Sequence, residues 1–341
     1  MSQQRVLVTG GSGFIAGHSI LQLLDQGYLV RTTVRSLDRE AAVRKTLTEA
    51  GATNLENLTF SAADLTHDDG WAAAADGSDF VLHVASPVHP GHVENEDDLI
   101  VPAREGTLRV LRAARDAGVR RVVLTSAFHA VGFGHPHTDH VFTEDDWTVL
   151  DGPGVDAYGK SKTLAERAAW AFMTDQDFEL TTLLPVAVMG PALGDQVSGS
   201  NGILRQMLSG AMAGFPNLYI PIVDVRDVAT AHVAAMTSPG AAGQRILVSS
   251  AAPAVAMSRI GSILRSQLGE AAAKVPTETV PDAVLRKAAR SNPDLRWIAA
   301  DLGFVKQIST AKAHDLLGLT PRTPEQAVLA GAESLIAKNL V

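Results

Sequence analysis

Tyr158 and Lys162 are the residues whose types and spacing most directly imply chemistry. They lie in Tyr158-Gly-Lys-Ser-Lys162, four residues apart, which places both on one face of a helix. A neighbouring ammonium lowers the pKa of a phenol, so the pair makes Tyr158 a proton donor to a carbonyl near neutral pH. A hydroxyl that could assist stands upstream, Ser126 in Thr125-Ser-Ala127.

A second stretch has the chemistry of phosphate binding. Val6-Leu-Val-Thr-Gly-Gly-Ser-Gly-Phe-Ile-Ala-Gly17 reads as a short buried strand, a glycine turn and a helix with an apolar stripe from Phe14, Ile15, Ile20, Leu21, Leu23 and Leu24. Gly10 allows the turn, and Gly13 lets a pyrophosphate approach the backbone. The helix N-terminus offers free N–H groups and positive dipole. Ala16 is small where helix and strand must pack closely. Arg35, with Arg39 near it, follows a strand over 28–34, where an arginine suits a ribose 2′-phosphate and an acid would suit the hydroxyl. That points to NADP(H). Asp64 and Leu65 follow the next strand, where the carboxylate accepts from an adenine amino group and the leucine packs on the ring; Asp64 is equally an ordinary helix N-cap. Val84, Ala85 and Ser86 end another strand with side chains small enough to leave room for a cofactor.

These residues need elements to carry them. Strands over 6–8, 28–34, 58–62, 79–85 and 120–125 alternate with helical patterns at 14–24, 37–49 and 97–117. The alternation predicts an α/β fold with a Rossmann-type doubly wound parallel sheet, whose ligand crevice lies at the carboxyl ends of the strands. Beyond Pro185 the alternation weakens. The expected division is a dinucleotide-binding domain over 1–185 plus about 222–250, and a smaller, mostly helical C-terminal substrate lobe over about 186–221 and 251–341. Met189, Met207, Met212 and Phe215 either line an apolar substrate wall or form ordinary core. The polar segment 277–306 either covers the site or caps the lobe.

The chain of 341 residues has a net charge of −8, 46% hydrophobic residues and no cysteine. An acidic chain without a basic run argues against nucleic acid or an anionic membrane as partner. No thiolate metal site, cysteine nucleophile or disulfide is available. Residues 1–4 run straight into the first strand with no targeting signal, and no apolar run is long enough to span a bilayer. The expected location is cytoplasmic and the expected assembly a monomer or homodimer. His135, His137, Asp139 and His140 crowd one Gly/Pro-bearing loop; with no helix or strand to fix their geometry, no metal is expected there.

Together these motifs resemble the extended short-chain dehydrogenases/reductases. The similarity is strongest to the dihydroflavonol reductase, cinnamoyl-CoA reductase and NADPH-dependent aldehyde and ketone reductase branch. It is carried by the turn from Thr9 to Ile15, Val34-Arg35, Ala63-Asp-Leu65, His83-Val-Ala-Ser-Pro87, Glu105-Gly-Thr107, Tyr158 to Lys162, Leu184-Pro-Val186 with Gly190-Pro191, and Val223 to Ala229 with His232. The resemblance implies reduction of a small aldehyde or ketone by hydride transfer from NADPH. Tyr158 would be the acid, Lys162 its partner, and Pro185 and Val188 the lining of the nicotinamide pocket. Glu105 and Pro185-Val186 stand where sugar-nucleotide epimerases usually carry asparagine. In one respect the chain departs from the family: an ungapped match puts Ala127 at the catalytic serine. Ser126, His129 or a water is then left to supply the second hydrogen bond. An NAD-dependent nucleotide-sugar epimerase or dehydratase, and a non-catalytic NADPH-binding sensor, are the alternative functions.

Overall fold

The computed structural model describes residues 3–87, 93–197 and 199–341. Met1 and Ser2 of the expected N-terminal run, residues 88–92 and Ser198 lie outside the described residues. Seven strands form one sheet: β1 (Arg5–Val8), β2 (Leu29–Val34), β3 (Leu58–Ala62), β4 (Phe80–His83), β5 (Arg121–Thr125), β6 (Glu179–Pro185) and β7 (Arg245–Val248). Their spatial order is β7-β6-β5-β4-β1-β2-β3, and every pairing is parallel. The chain order reverses between β1 and β4, so the crevice of this doubly wound sheet opens at their carboxyl ends.

Alternation along the strands assigns the two faces. Val6, Val8, Leu82 and Val123 belong to one hydrophobic core. Leu7, Val81, Val122 and Leu124 belong to another. The first core takes Ile20, Leu23 and Leu24 from α1 (Phe14–Asp25) and Val228, Ala231 and Met236 from α7 (Val225–Thr237). The second takes Val110, Leu111 and Ala114 from α4 (Asp97–Asp116) and Ala169 from α5 (Ala157–Phe172). Burial on both faces is why these strands read as continuous apolar runs.

A third core joins Met189, Met207, Phe215, Ile260, Leu264, Val328 and Leu335. It gathers α6 (Asn201–Ser209), α8 (Met257–Leu268) and α12 (Pro324–Ala337). Met189, Met207 and Phe215 are at most 1% exposed, so they are core and not a substrate wall. α12 starts at Pro324 because Thr323, its N-cap, forms a capping box with Gln326. Phe304, Ala313 and Leu319, from the stretch expected in the lobe, pack instead in the core on the α1 and α7 face of the sheet.

Candidate active site

The glycine turn lies between β1 and α1 at the crevice. Gly10 has φ +75°, a conformation that favours glycine. The tightest position is Gly11, where a Cβ would stand 2.3 Å from Thr32 Oγ1. Hydrogen bonds from β2 and β4 hold the turn: Gly10 N–H donates to Thr33 Oγ1 at 2.9 Å, and Ala85 N–H donates to Thr9 Oγ1 at 2.9 Å. That same hydroxyl pairs with His83 Nδ1 at 2.9 Å. Burial pushes the His83 imidazole down to about 3. Thr9, Thr33 and His83 are functional supports that local sequence reading does not assign, because each partner comes from another strand. Gly13 caps α1 with no side-chain hydrogen bond. The N–H groups at Phe14 and Ile15 therefore face the crevice without a side-chain cap, as an anion site requires. Ala16 has no exposed surface, in line with its expected packing role.

Arg35 is exposed at the end of β2. Asp64, after β3, lies close enough to feel its charge. The Asp64 carboxyl is held below its usual range by the Thr66 N–H first, with smaller contributions from the Thr66 hydroxyl, His67 and Arg35. Its Oδ1 accepts from Thr66 N and Oγ1, both at 2.8 Å, which is a local turn and not a helix cap. Leu65 packs against α4 at Gly106, where a Cβ would come within 2.8 Å of Leu65 Cβ. Val84, Ala85 and Ser86 are half-buried at the end of β4. Pro185 is buried at the end of β6. Val188 is half-buried on a short strand paired to Val223.

α5 brings in the chemistry. Asp156 caps it by accepting from Gly159 N–H at 2.8 Å. Tyr158 is half-buried in the first turn, and Lys162 is 7% exposed one turn later. The Lys162 Nζ stands 6.0 Å from the Tyr158 ring centroid and donates to Thr125 O at 3.3 Å, tying α5 to the end of β5. The expected lowering of the phenol pKa does not appear. Burial, with the Asp156 charge adding to it, pushes Tyr158 up to about 12. Burial likewise brings Lys162 down to about 8, against the pull of Glu166. Desolvation is the largest cause at both groups.

Ser126, expected to assist Tyr158, has its hydroxyl committed elsewhere in this structure. Its hydroxyl donates to Glu166 Oε2 at 2.6 Å, because residues 125 and 126 face opposite ways at the strand end. Glu166 has no exposed side-chain surface and pairs with Arg245 at 2.8 Å. It also accepts from Thr182 Oγ1 at 2.9 Å. Thr125 points elsewhere: its hydroxyl meets His232 Nε2 at 2.7 Å. His232 Nδ1 donates to Val228 O at 2.7 Å, so the neutral ring, held down to about 4 by burial, must accept from Thr125.

His129 lies beside Tyr158, ring centroids 4.9 Å apart and nearly perpendicular. It stacks on Phe133 at 4.2 Å, and Lys306 Nζ sits 4.5 Å from the centre of the Phe133 ring. The end of the polar 277–306 segment thus reaches the site. Lys306 pairs with Asp301. The crowded histidines disperse. His135 Nε2 bonds Val131 O and Trp147 O at 3.1 Å, His137 Nε2 bonds Ala300 O at 2.9 Å, and His140 Nε2 bonds Asp146 Oδ2 at 2.9 Å. Among the described residues no group of three or more potential ligands converges on a metal position, and no helix is long and apolar enough to cross a membrane.

The NAD dependent epimerase/dehydratase family model matches residues 6–249. A cinnamoyl-CoA reductase of Medicago truncatula is 36% identical over 248 residues, 71% of this chain and 75% of that protein. An anthocyanidin reductase of Vitis vinifera is 34% identical over 261 residues, 72% and 76% of the two chains. Among solved structures, Gre2 from Candida albicans in complex with NADPH superposes with a TM-score of 0.80 at 28% identity, covering 98% of this chain and 99% of that one. Fold, glycine turn and relatives agree: the chain belongs to the NAD-dependent epimerase/dehydratase family, the extended short-chain dehydrogenases/reductases.

Proposed function

We propose that this protein is an NADPH-dependent reductase of a small aldehyde or ketone. The observation that carries the reading is that Lys162, one helical turn from Tyr158, is tied to the end of β5, two strands from the β1 turn that leads into an α1 N-terminus without a side-chain cap. The residues present fit a dinucleotide. Gly10 to Ile15 would hold the pyrophosphate, and Arg35 the 2′-phosphate. Asp64, through its second oxygen, and Leu65 would face the adenine. Val84, Ala85, Ser86, Pro185 and Val188 would border the remainder. NADPH-bound Gre2 structures support the cofactor choice.

When bound, NADPH supplies a hydride to the carbonyl carbon and is oxidised to NADP⁺. Tyr158 Oη donates its proton to the carbonyl oxygen, giving the alcohol. Lys162, held by Thr125 O, orients the cofactor ribose and restrains Tyr158. A phenol resting near 12 stays protonated at neutral pH, so it is ready to donate, and its proton must be replaced after each turnover. Confining both reactants supplies much of the rate by proximity.

The test is loss of nicotinamide absorbance with NADPH and then NADH against aryl and aliphatic aldehydes and ketones. Turnover with NADPH preference is expected. Tyr158→Phe is expected to lower kcat by about 10²–10⁴ with NADPH affinity nearly unchanged. Full activity in that variant would sink the mechanism, and preference for NADH would sink the role of Arg35.

A further inference from the structure

A carbonyl oxygen gaining negative charge is best stabilised by more than one positioned donor, and Tyr158 is one donor. The usual candidates near it are occupied or absent. Ser126 is turned to Glu166, Thr125 is bound to His232, and position 127 carries only a methyl group. His129 differs from the other described histidines. Each of those has a ring nitrogen within hydrogen-bond distance of a protein partner. Among the described residues neither ring nitrogen of His129 has one, nor does Tyr158 Oη, and neither side chain is sealed from solvent.

The ring is nevertheless fixed. Its backbone carbonyl accepts from Thr148 Oγ1 at 2.7 Å and from Thr163 Oγ1 at 3.4 Å. Its face lies on Phe133 with an interplanar angle of 9°. Burial holds the imidazole down to about 4, against the pull of Asp156 and with Lys306 adding to the lowering. It is therefore neutral at physiological pH and carries one N–H. A rigid donor with no acceptor among the described residues, beside a phenol likewise unpartnered among them, is arranged for something that enters the site.

We propose that His129 is a catalytic residue that donates the second hydrogen bond to the substrate's carbonyl oxygen. Tyr158 then transfers its proton to an oxygen already held by the imidazole N–H. Ala127 is tolerated because the donor has moved two residues along the chain, from the strand end to the turn that follows it. This inference rests on the reductase reading and specifies which residues complete its site.

His129→Phe tests it, because phenylalanine keeps the stacking on Phe133 and the edge toward Tyr158 but removes the N–H. With a carbonyl substrate that the unaltered protein reduces, kcat is expected to fall about 10²–10³-fold. The NADPH dissociation constant, read by fluorescence titration, is expected to stay the same. Adding Ala127→Ser to that variant should restore activity by about tenfold or more, since a hydroxyl returns to the strand end. Wild-type kcat in His129→Phe would overturn the proposal. So would a loss that Ala127→Ser leaves unmoved, which would mark His129 as packing only. Tyr158→Phe run in parallel separates the two levels. An inactive Tyr158→Phe with an active His129→Phe overturns only the role of His129, whereas an active Tyr158→Phe removes the reductase reading beneath it.

Discussion

Lys162 and Glu166 lie one turn apart on α5, and the polar groups around them are arranged differently. Around Glu166 the polar partners are matched. Ser126, Thr182 and Arg245 donate to the carboxylate. Arg245 also donates to the backbone at Glu144 and Asp146 and lies over the Trp147 ring at 3.6 Å. Toward the helix N-terminus, Tyr158 and His129 keep donors without partners among the described residues. Both regions are rich in polar residues near the end of β5, so residue type alone does not separate them. The distinction is whether the protein itself satisfies the hydrogen-bonding capacity. A closed network holds the sheet and helix together, while open donors beside it mark where a ligand belongs.

The largest effect that would test this contrast is on stability. Glu166→Ala leaves Arg245 buried without its counter-charge, and breaking such a pair costs about 3–5 kcal/mol. Denaturant unfolding is expected to show that loss, and a change under about 1 kcal/mol would mean that the network is not structural. Tyr158→Phe, in the open region, is expected to leave the unfolding midpoint in place.

Acid should act on the buried imidazoles. His83 and His232 are 1% and 0% exposed and are held down to about 3 and about 4, whereas an unfolded histidine titrates near 6.5. Below about pH 6.5 the unfolded chain therefore binds more protons than the folded one, and stability falls as pH drops toward 4. Two such groups give a slope of up to about 3 kcal/mol per pH unit, and His129 acts in the same direction. Above about pH 6.5 they contribute no pH dependence. Urea midpoints at pH 7 and pH 5 check this, and equal midpoints would contradict neutral buried rings.

The smallest effect is expected at Ser126. Removing one hydrogen bond to a charged group costs about 1.5–3 kcal/mol, so Ser126→Ala should destabilise measurably and leave kcat essentially unchanged at saturating cofactor. A collapse of kcat without loss of stability would return Ser126 to the catalytic set.

Much of this was legible in the order of residues. The first five sheet strands and the glycine turn follow from local patterns. The spacing of Tyr158 and Lys162 foretold their shared helix. The polar character of the buried face of α5 was hidden. Leu164, Ala165 and Ala168 mark the apolar stripe in sequence, yet the residues buried there include Ser161, Lys162, Thr163 and Glu166. The partners of the two charged ones lie far along the chain: Thr125 is 37 residues from Lys162 and Arg245 is 79 from Glu166. No local periodicity reports such a pairing. The bond from Ser126 to Glu166 was hidden for a related reason, since its orientation is set by where β5 ends against β6 and α5.

One wall of the site closes a very long loop. His137 stacks on Phe304 at 4.5 Å and bonds Ala300 across 163 residues of chain, next to the Phe133 and Lys306 contact. Bringing such distant segments together carries a conformational-entropy cost that local contacts do not repay. The β1 turn draws its partners, Thr33 and Ala85, from 23 and 76 residues away, whereas the His129 wall needs a segment 163 residues from His137 to dock. Phe304 is itself buried in the core on the α1 and α7 face of the sheet, so the segment that walls the site is packed into the sheet's own core.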